Sequence, residues 1–235
     1  MDLTVWFEGG RIQRLEQDTR GDGCVDLAQW FDADERAHTE HRDSDGNCET
    51  DLWSYYEQGR LVRQGLDTQG WGKPNALNHF DTGGTVKLQE LASGENGRNP
   101  DKKLFLSADG AVTAQCLLNE AGDRLDARAI VQNGAVTEVL IDTSGNGWAD
   151  TREVLAGGQL ARVDADTNGD RKPDVIQTFR DGALAHQDED TDHDGVIDQR
   201  FEGDRAVAVP AGTRVQGARF GKLGCGSFHR FWWHR

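Results

Sequence analysis

The feature that most constrains this chain of 235 residues is an internal repeat with a period of 24 to 26 residues. Each repeat unit contains a short apolar segment, usually a glycine-containing turn, a second apolar segment and a polar loop. The residues that mark the start of each unit are Asp2, Asp26, Asp51, Asn75, Asp101, Asp126, Asp150, Asp174 and Asp198. Self-similarity of this kind is typical of architectures in which each unit packs on its sequence neighbours.

Each unit has the composition of a β-hairpin. Residues 3–7 and 52–56 are rich in side chains that favour strands. Asp109-Gly110, Asn133-Gly134 and Asp181-Gly182 are dipeptides that favour tight two-residue hairpin turns. Glycine interrupts the apolar segments before a helical period is sustained. We therefore predict an all-β antiparallel meander of eight full hairpin units and a partial ninth, forming an elongated, twisted single-layer or curled stack. The alternative is a closed barrel or propeller of the same hairpins.

The charge distribution divides the chain near residue 204. All 41 acidic residues lie at or before Asp204, whereas the last 31 residues contain six Lys or Arg and no acid. We predict a repeat array over residues 1–204 and a basic aromatic tail over residues 205–235, with a last strand near 207–209 and a flexible end. The net charge of −15 argues against a nucleic-acid partner. The sequence also contains no apolar stretch long enough for a transmembrane segment.

The polar loop of unit eight has the spacing of a metal site. With Asp190 as position 1, carboxylates occupy positions 1, 3, 5 and 9, and Gly195 occupies position 6. A hard cation such as Ca²⁺ takes six to eight oxygen ligands, and alternate residues of a tight loop point to one centre. Four carboxylates within nine residues repel one another unless a cation neutralises them. The predicted ligands are Asp190, Asp192, Asp194 and Asp198.

Four other loops keep this ligand pattern in part. Unit seven offers Asp166, Asn168, Asp170 and Asp174, with Arg171 in place of glycine. Unit six offers Asp142, Ser144, Asn146 and Asp150, with Glu153 at position 12. Unit one offers Asp18, Asp22 and Asp26, and unit two offers Asp43, Asp45, Asn47 and Asp51. The loops of units three to five keep little of the pattern and favour plain turns, because Asp and Asn bond their own backbone.

These loops resemble the Asp-x-Asp-x-Asp-Gly-x-x-Asp calcium loops of thrombospondin type 3 repeats and of dockerin-like and EF-hand-like bacterial proteins. The units also resemble tandem hairpin repeats of bacterial surface proteins and lipoproteins, over residues 2 to about 204. The resemblance implies Ca²⁺ as the bound ion. Because position 12 holds a carboxylate only at Glu153, we expect weak binding, with a Kd on the order of 10⁻⁴ to 10⁻³ M. We therefore expect a non-enzymatic calcium-binding repeat protein that acts as a cell-surface or secreted structural or adhesion module.

A set of aromatic residues suggests an alternative function for the chain. Trp6, Trp30, Trp53 and Tyr55 occupy matching positions in their units and should line one face of the sheet. These rings either cover one another as the packed face of a single layer, or they bind a glycan or a surface protein. In the second case the loops are structural turns only. No Ser/His/Asp or Cys/His grouping suggests nucleophilic catalysis, so we predict that the chain is not an enzyme.

The cysteines give information on the cellular compartment in which the protein is located. Cys24 and Cys48 lie at nearly equivalent positions of consecutive loops, which an ideal sheet separates by about 9–10 Å. A disulfide between them requires a local bend, because its Cα atoms must lie within about 7 Å. Millimolar calcium and disulfides favour an extracellular, cell-surface or periplasmic location. The chain starts directly before an anchor and shows no signal peptide, which favours a fragment of a longer protein.

Overall fold

The computed structural model describes residues 2–92, 100–118 and 125–226, and every regular element among them is a β-strand. It consists of two compact bodies, an N-terminal body of residues up to 111 and a C-terminal body of residues 112–226. All strand pairs are antiparallel and join strands that are consecutive in the sequence. The predicted all-β meander of hairpin repeats is therefore confirmed.

The strands of the N-terminal body are β1 (Asp2–Glu8), β2 (Arg11–Asp18), β3 (Leu27–Phe31), β4 (Ala37–Arg42), β5 (Leu52–Glu57), β6 (Arg60–Leu66), β7 (Ala76–Phe80), β8 (Val86–Leu91) and β9 (Lys102–Leu106). Those of the C-terminal body are β10 (Val112–Leu118), β11 (Leu125–Gln132), β12 (Ala135–Ile141), β13 (Thr151–Ala156), β14 (Gln159–Ala165), β15 (Val175–Arg180), β16 (Ala183–Glu189), β17 (Gln199–Glu202) and β18 (Arg205–Val207). Within the described part of each body the first and last strands do not pair with one another, so the sheet is open and the closed alternative is not formed. No helix capable of crossing a membrane occurs among the described residues.

Two-residue turns close many of the hairpins. Asn133 and Gly134 have φ angles of 52° and 76°, and Asp181 and Gly182 have 53° and 78°. Two successive positive φ angles match the right-handed twist of the strands that the turn joins. The prediction for Asp109-Gly110 was wrong, because these residues lie in a longer turn. There the Ser107 N–H donates to the Ala111 carbonyl at 2.9 Å, and the Ser107 hydroxyl donates to the same oxygen at 3.0 Å.

The predicted aromatic face is present in the N-terminal body, but the rings do not pack directly on one another. The register places Trp6, Arg14 and Trp30 in one row, and the Arg14 guanidinium lies 5.0 Å and 5.1 Å from the centres of the two indole rings. His41 similarly lies between Trp30 and Trp53, at 4.6 Å and 6.3 Å from their ring centres. Trp53 is 7% exposed, so its ring is buried in the sheet face.

Residues 210–226 form a segment, here named the strap, that crosses the loops of the C-terminal body. The Ile197 N–H donates to the Thr213 carbonyl at 2.8 Å, and the Val215 N–H donates to the Gly195 carbonyl at 3.1 Å. Further along the strap, the Phe220 N–H donates to the Arg171 carbonyl at 2.9 Å. The strap therefore adds backbone hydrogen bonds to consecutive loops in reverse sequence order.

The end of the strap is fixed by burial and by a covalent bond. The Ala149 N–H donates to the Gly221 carbonyl at 3.0 Å, and Phe220 and Leu223 are 5% and 1% exposed. Cys225 forms a disulfide with Cys116 of β10, with a Cα–Cα distance of 6.2 Å. The predicted flexible end was therefore wrong for residues 210–226, because their backbone pairs with loop groups that the sheet leaves unpaired.

Candidate metal centre

Six acidic loops lie within the described residues, and each runs from position 1 to position 9 of the repeat numbering. They are loop 1 (18–26), loop 2 (43–51), loop 3 (67–75), loop 6 (142–150), loop 7 (166–174) and loop 8 (190–198). The loops of units four and five lie largely outside the described residues. Both ends of a loop are fixed to the sheet. In loop 8 the Asp190 N–H donates to the Asp174 carbonyl and the Asp198 N–H to the Glu189 carbonyl, both at 2.8 Å.

The backbone of all six loops takes the same path. Positions 4 and 6 have positive φ in every loop, including His193 at 64° and Gly195 at 89° in loop 8. This path turns successive amide groups toward the carboxylate at position 1, forming a small anion-binding concavity. In loop 8, Asp190 accepts from the amides of Asp194 at 3.2 Å and Gly195 at 2.8 Å. Asp190 is 4% exposed, so the concavity fixes a buried carboxylate at the start of the loop.

Position 9 closes the loop from the other side. Asp198 accepts from the Thr191 N–H at 2.7 Å and from the Thr191 hydroxyl at 2.8 Å. The same bonds join positions 2 and 9 in the other five loops. The sequence reasoning missed position 2, although Ser or Thr occupies it in all six loops.

These hydrogen bonds favour the ionised form of three of the loop carboxylates. The Thr191 hydroxyl and amide lower the pKa of Asp198, and the amide of Gly23 is the main cause of the lowered pKa of Asp18. At Asp43, burial alone would raise the pKa, but the amide bonds to that carboxylate outweigh it and the pKa is lowered. These three carboxylates therefore carry negative charge at neutral pH.

Loops 2 and 8 bring three carboxylates to one place. In loop 8 each of Asp190, Asp192 and Asp194 offers an oxygen within 4.8 Å of the other two. In loop 2 the corresponding group is Asp43, Asp45 and Asp51. In the described part of the chain, no other three acidic, histidine or cysteine side chains meet this criterion. Asp198, which was predicted as a fourth ligand, lies outside the group in loop 8, although Asp51 at the same position of loop 2 belongs to its group.

Loop 1 contains a cationic side chain at a predicted ligand position. The Arg20 Nε donates to Asp26 at 2.6 Å, and its guanidinium also lies 3.2 Å from Asp43 Oδ2 of loop 2. The predicted ligands Asp18, Asp22 and Asp26 are not gathered into one group. Cys24 and Cys48 form a disulfide between loops 1 and 2, with a Cα–Cα distance of 5.3 Å.

The predicted ligands of loops 6 and 7 form hydrogen bonds and ion pairs within their own loops. In loop 6 the Ser144 hydroxyl donates to Asp142 at 3.1 Å. In loop 7 the Lys172 ammonium lies 2.8 Å from Asp170, and the amides of Gly169 and Arg171 donate to Asp166. The remaining predicted residues of these loops serve local turns: Asn146 and Asn168 accept from amides two residues on, and Asp150 and Asp174 accept from position 2.

Position 12 belongs to the sheet in all six units. Glu153 lies within β13, where it pairs with Val139 and Val163. The equivalent residues of other units form cross-strand hydrogen bonds, such as Gln89 to Asn78 at 2.9 Å. An EF-hand loop is followed by a helix that presents a bidentate carboxylate at position 12. Here the strand begins by that position, so the twelve-residue arrangement is not assembled in the same way.

Comparisons with known proteins place the chain in no family. No family model matches it, and no curated protein matches it. Among solved structures, a mutant of S. aureus TarM in complex with Fondaparinux, alpha-GlcNAc-glycerol and UDP matches at 11% identity and a TM-score of 0.27, over 53% of this chain and 21% of that chain. Another TarM structure matches at 12% identity and a TM-score of 0.25, over 53% and 20%. Accessory secretory protein 1, 2 and 3 of Streptococcus pneumoniae match at 13% identity and a TM-score of 0.28, over 55% and 19%.

The chain spans about a fifth of the length of these matched structures. The prediction that the chain is not an enzyme does not stand beside these matches. We withdraw that prediction. It relied on the absence of a catalytic grouping in the sequence, whereas a fold can assemble such a grouping from distant loops. At these TM-scores the matches carry no argument for an activity of this chain.

Proposed function

We propose that the protein is a calcium-binding repeat protein in which loop 8 holds Ca²⁺ and loop 2 holds it more weakly. The observation that carries the proposal is the convergence of Asp190, Asp192 and Asp194, whose oxygens lie within 4.8 Å of one another. Carboxylate oxygens are the preferred ligands of this hard cation. The likeness of the loop to thrombospondin type 3 calcium loops supports the same ion.

The expected affinity follows from the number of oxygens that each loop supplies. Loop 8 offers three converging carboxylates, and its position 12 is Phe201 in β17, which has no oxygen ligand in its side chain. Waters or another ligand must complete the six to eight oxygens around calcium, so the Kd should be on the order of 10⁻⁴ to 10⁻³ M. In loop 2 the Arg20 guanidinium lies 3.2 Å from Asp43, and its charge opposes a second cation there.

Bound calcium would act as a structural element of the repeat. It would neutralise carboxylates that otherwise repel one another within a chain of net charge −15. The two disulfides are the bonds of an oxidising compartment, which supports an extracellular, cell-surface or periplasmic location. Extracellular calcium is also at the concentration that a weak site requires. We therefore propose a role as a structural or adhesion module of a surface or secreted protein.

Calcium titration by calorimetry tests this proposal. The full chain should bind Ca²⁺ with submillimolar to millimolar Kd, and Asp194→Asn should weaken the loop 8 site by about tenfold or more. Asp181→Asn is the matched control, because it removes one carboxylate from a hairpin turn outside the acidic loops. Absence of calcium-binding heat at millimolar concentrations, or equal binding by Asp194→Asn and the original chain, would contradict the proposal.

A further inference from the structure

The strap and loops 7 and 8 enclose a cavity of about 330 Å³ in the C-terminal body. Asp174, Asp190 and Asp194 line one part of it, here named the acidic wall, and Arg214 and Arg219 of the strap line another part, here named the basic wall. The volume lies within the range of small-molecule sites, which are roughly 300–1,000 Å³. The two walls therefore place opposite charges around a space that fits one small organic molecule.

The strap holds the basic wall in a defined position. Arg214 forms a β-bridge with Val196 of loop 8, and the Val215 N–H donates to the Gly195 carbonyl at 3.1 Å. At Gly217 the strap lies so close to Pro173 that an added Cβ would be 2.6 Å from its ring. Both arginines therefore project from backbone that is anchored to the loops.

The arginines differ from the two other basic side chains of the cavity, of which His193 lies with its Nδ1 3.3 Å from Asp174. Lys172 is paired with Asp170 at 2.8 Å. Within the described residues, Arg214 and Arg219 form no ion pair of 4.0 Å or less and donate no side-chain hydrogen bond. Arg219 lies close enough to Asp170 that, after Lys172, it contributes to the lowered pKa of that carboxyl. Guanidinium groups bind carboxylates with two parallel hydrogen bonds, and neither arginine makes such bonds within the described residues.

The negative charge of the acidic wall is reduced when loop 8 holds the proposed calcium. Asp190 and Asp194 belong both to the cavity wall and to the converging group of loop 8. With Phe201 at position 12, the loop leaves coordination positions for an oxygen from outside the protein. A calcium ion with open positions and two arginines are complementary to one carboxylate group.

We propose that this cavity binds the carboxylate of a small acidic organic ligand, of the size of a uronate sugar, between the loop 8 cation and the arginines Arg214 and Arg219. The inference rests on the proposed calcium site of loop 8. It names the ligand class that the same site recognises. A neutral molecule of equal size lacks the group that both the cation and the guanidinium groups bind.

Calorimetric titration of the full chain with D-glucuronate tests the inference, with D-glucose as the neutral comparator. Glucuronate should bind in the presence of calcium and should not bind after EGTA treatment, and glucose should not bind in either condition. The double variant Arg214→Gln, Arg219→Gln should bind glucuronate at least about tenfold more weakly. Arg180→Gln, an exposed arginine at the end of β15 and outside the cavity, should bind it as the original chain does.

A calcium titration of the same variants separates this inference from the proposed function. Neither arginine variant should lose calcium affinity, because removal of positive charge near loop 8 does not weaken binding of a cation. If calcium binds but glucuronate does not, the carboxylate site is refuted and the calcium site stands. The same holds if the double variant binds glucuronate as tightly as the original chain does, or if the original chain binds glucose as it binds glucuronate. If calcium does not bind, both are refuted.

Discussion

The strap disulfide provides a quantitative test of how the C-terminal body is held together. Replacing both Cys116 and Cys225 by serine opens a covalent loop between residues separated by 109 positions. In the chain-entropy model, closing a loop of that length stabilises the folded state by about 5 kcal/mol at 25 °C. The same model gives about 3.5 kcal/mol for Cys24 and Cys48, which are separated by 24 positions. A typical folded protein has a total stability of roughly 5–15 kcal/mol, so either loss would be large.

The hydrogen bonds of the strap also predict where in the C-terminal body the loss of stability is first seen. The amides of Ile197 and Ala149 donate to strap carbonyls, whereas the Asp198 amide donates to Glu189 within the sheet. In the Cys116→Ser, Cys225→Ser variant, hydrogen exchange should accelerate at the first two amides more than at the third, because the strap detaches before the sheet opens.

Amide exchange measured by NMR, together with urea unfolding, checks both expectations. The Cys24→Ser, Cys48→Ser variant is the matched control, and it should leave exchange at Ile197 and Ala149 unchanged. Equal protection of these two amides in the strap variant and the original chain would show that the strap stays docked without its disulfide. A smaller loss of unfolding free energy than in the control variant would refute the loop-length reasoning.

Four further expectations follow from the loops. The thermal midpoint should be higher in millimolar calcium than in EGTA, measured by circular dichroism; an unchanged midpoint would argue against a structural role for calcium. Arg20→Gln should increase the calcium affinity of loop 2 in calorimetry, because the guanidinium beside Asp43 is removed. Arg171 has a φ of 71°, so Arg171→Gly should be more stable than Arg171→Ala by about 1 kcal/mol in urea unfolding, with both variants lacking the guanidinium. The folded-state pKa of Asp198 is lowered, so its contribution to stability should be full above about pH 4 to 5 and lost as the pH falls further; Asp198→Asn should flatten that decline in urea midpoints.

Much of the sheet could be predicted from the sequence because its determinants are local. Short apolar segments and dipeptides such as Asn133-Gly134 specify strands and their turns within one unit. The turn at Asp109-Gly110 was assigned wrongly because Ser107, two residues before Asp109, closes a longer turn. The acidic loops were located by their spacing, but which carboxylates converge depends on neighbours such as Arg20, which reaches a second loop.

Other parts of the candidate site could not be predicted, for physical reasons. The strap binds mainly through backbone groups, which leave no side-chain pattern, and the partners of Cys225 and Phe220 lie far away in the sequence. Two local signals were nevertheless present. Glycine occupies position 4 in five of the six described loops, and Ser or Thr occupies position 2 in all six. Together they specify the backbone path more strictly than the carboxylates do.

The reverse course of the strap has a consequence for biosynthesis. Hairpins join neighbouring segments, so each can form soon after it leaves the ribosome. Cys116, by contrast, must remain an unpaired thiol until a segment made 109 residues later arrives. In an oxidising compartment the nascent chain already contains Cys24 and Cys48, so mispairing competes until Cys225 emerges. Maturation of the C-terminal body should therefore depend on disulfide isomerisation more than that of the N-terminal body.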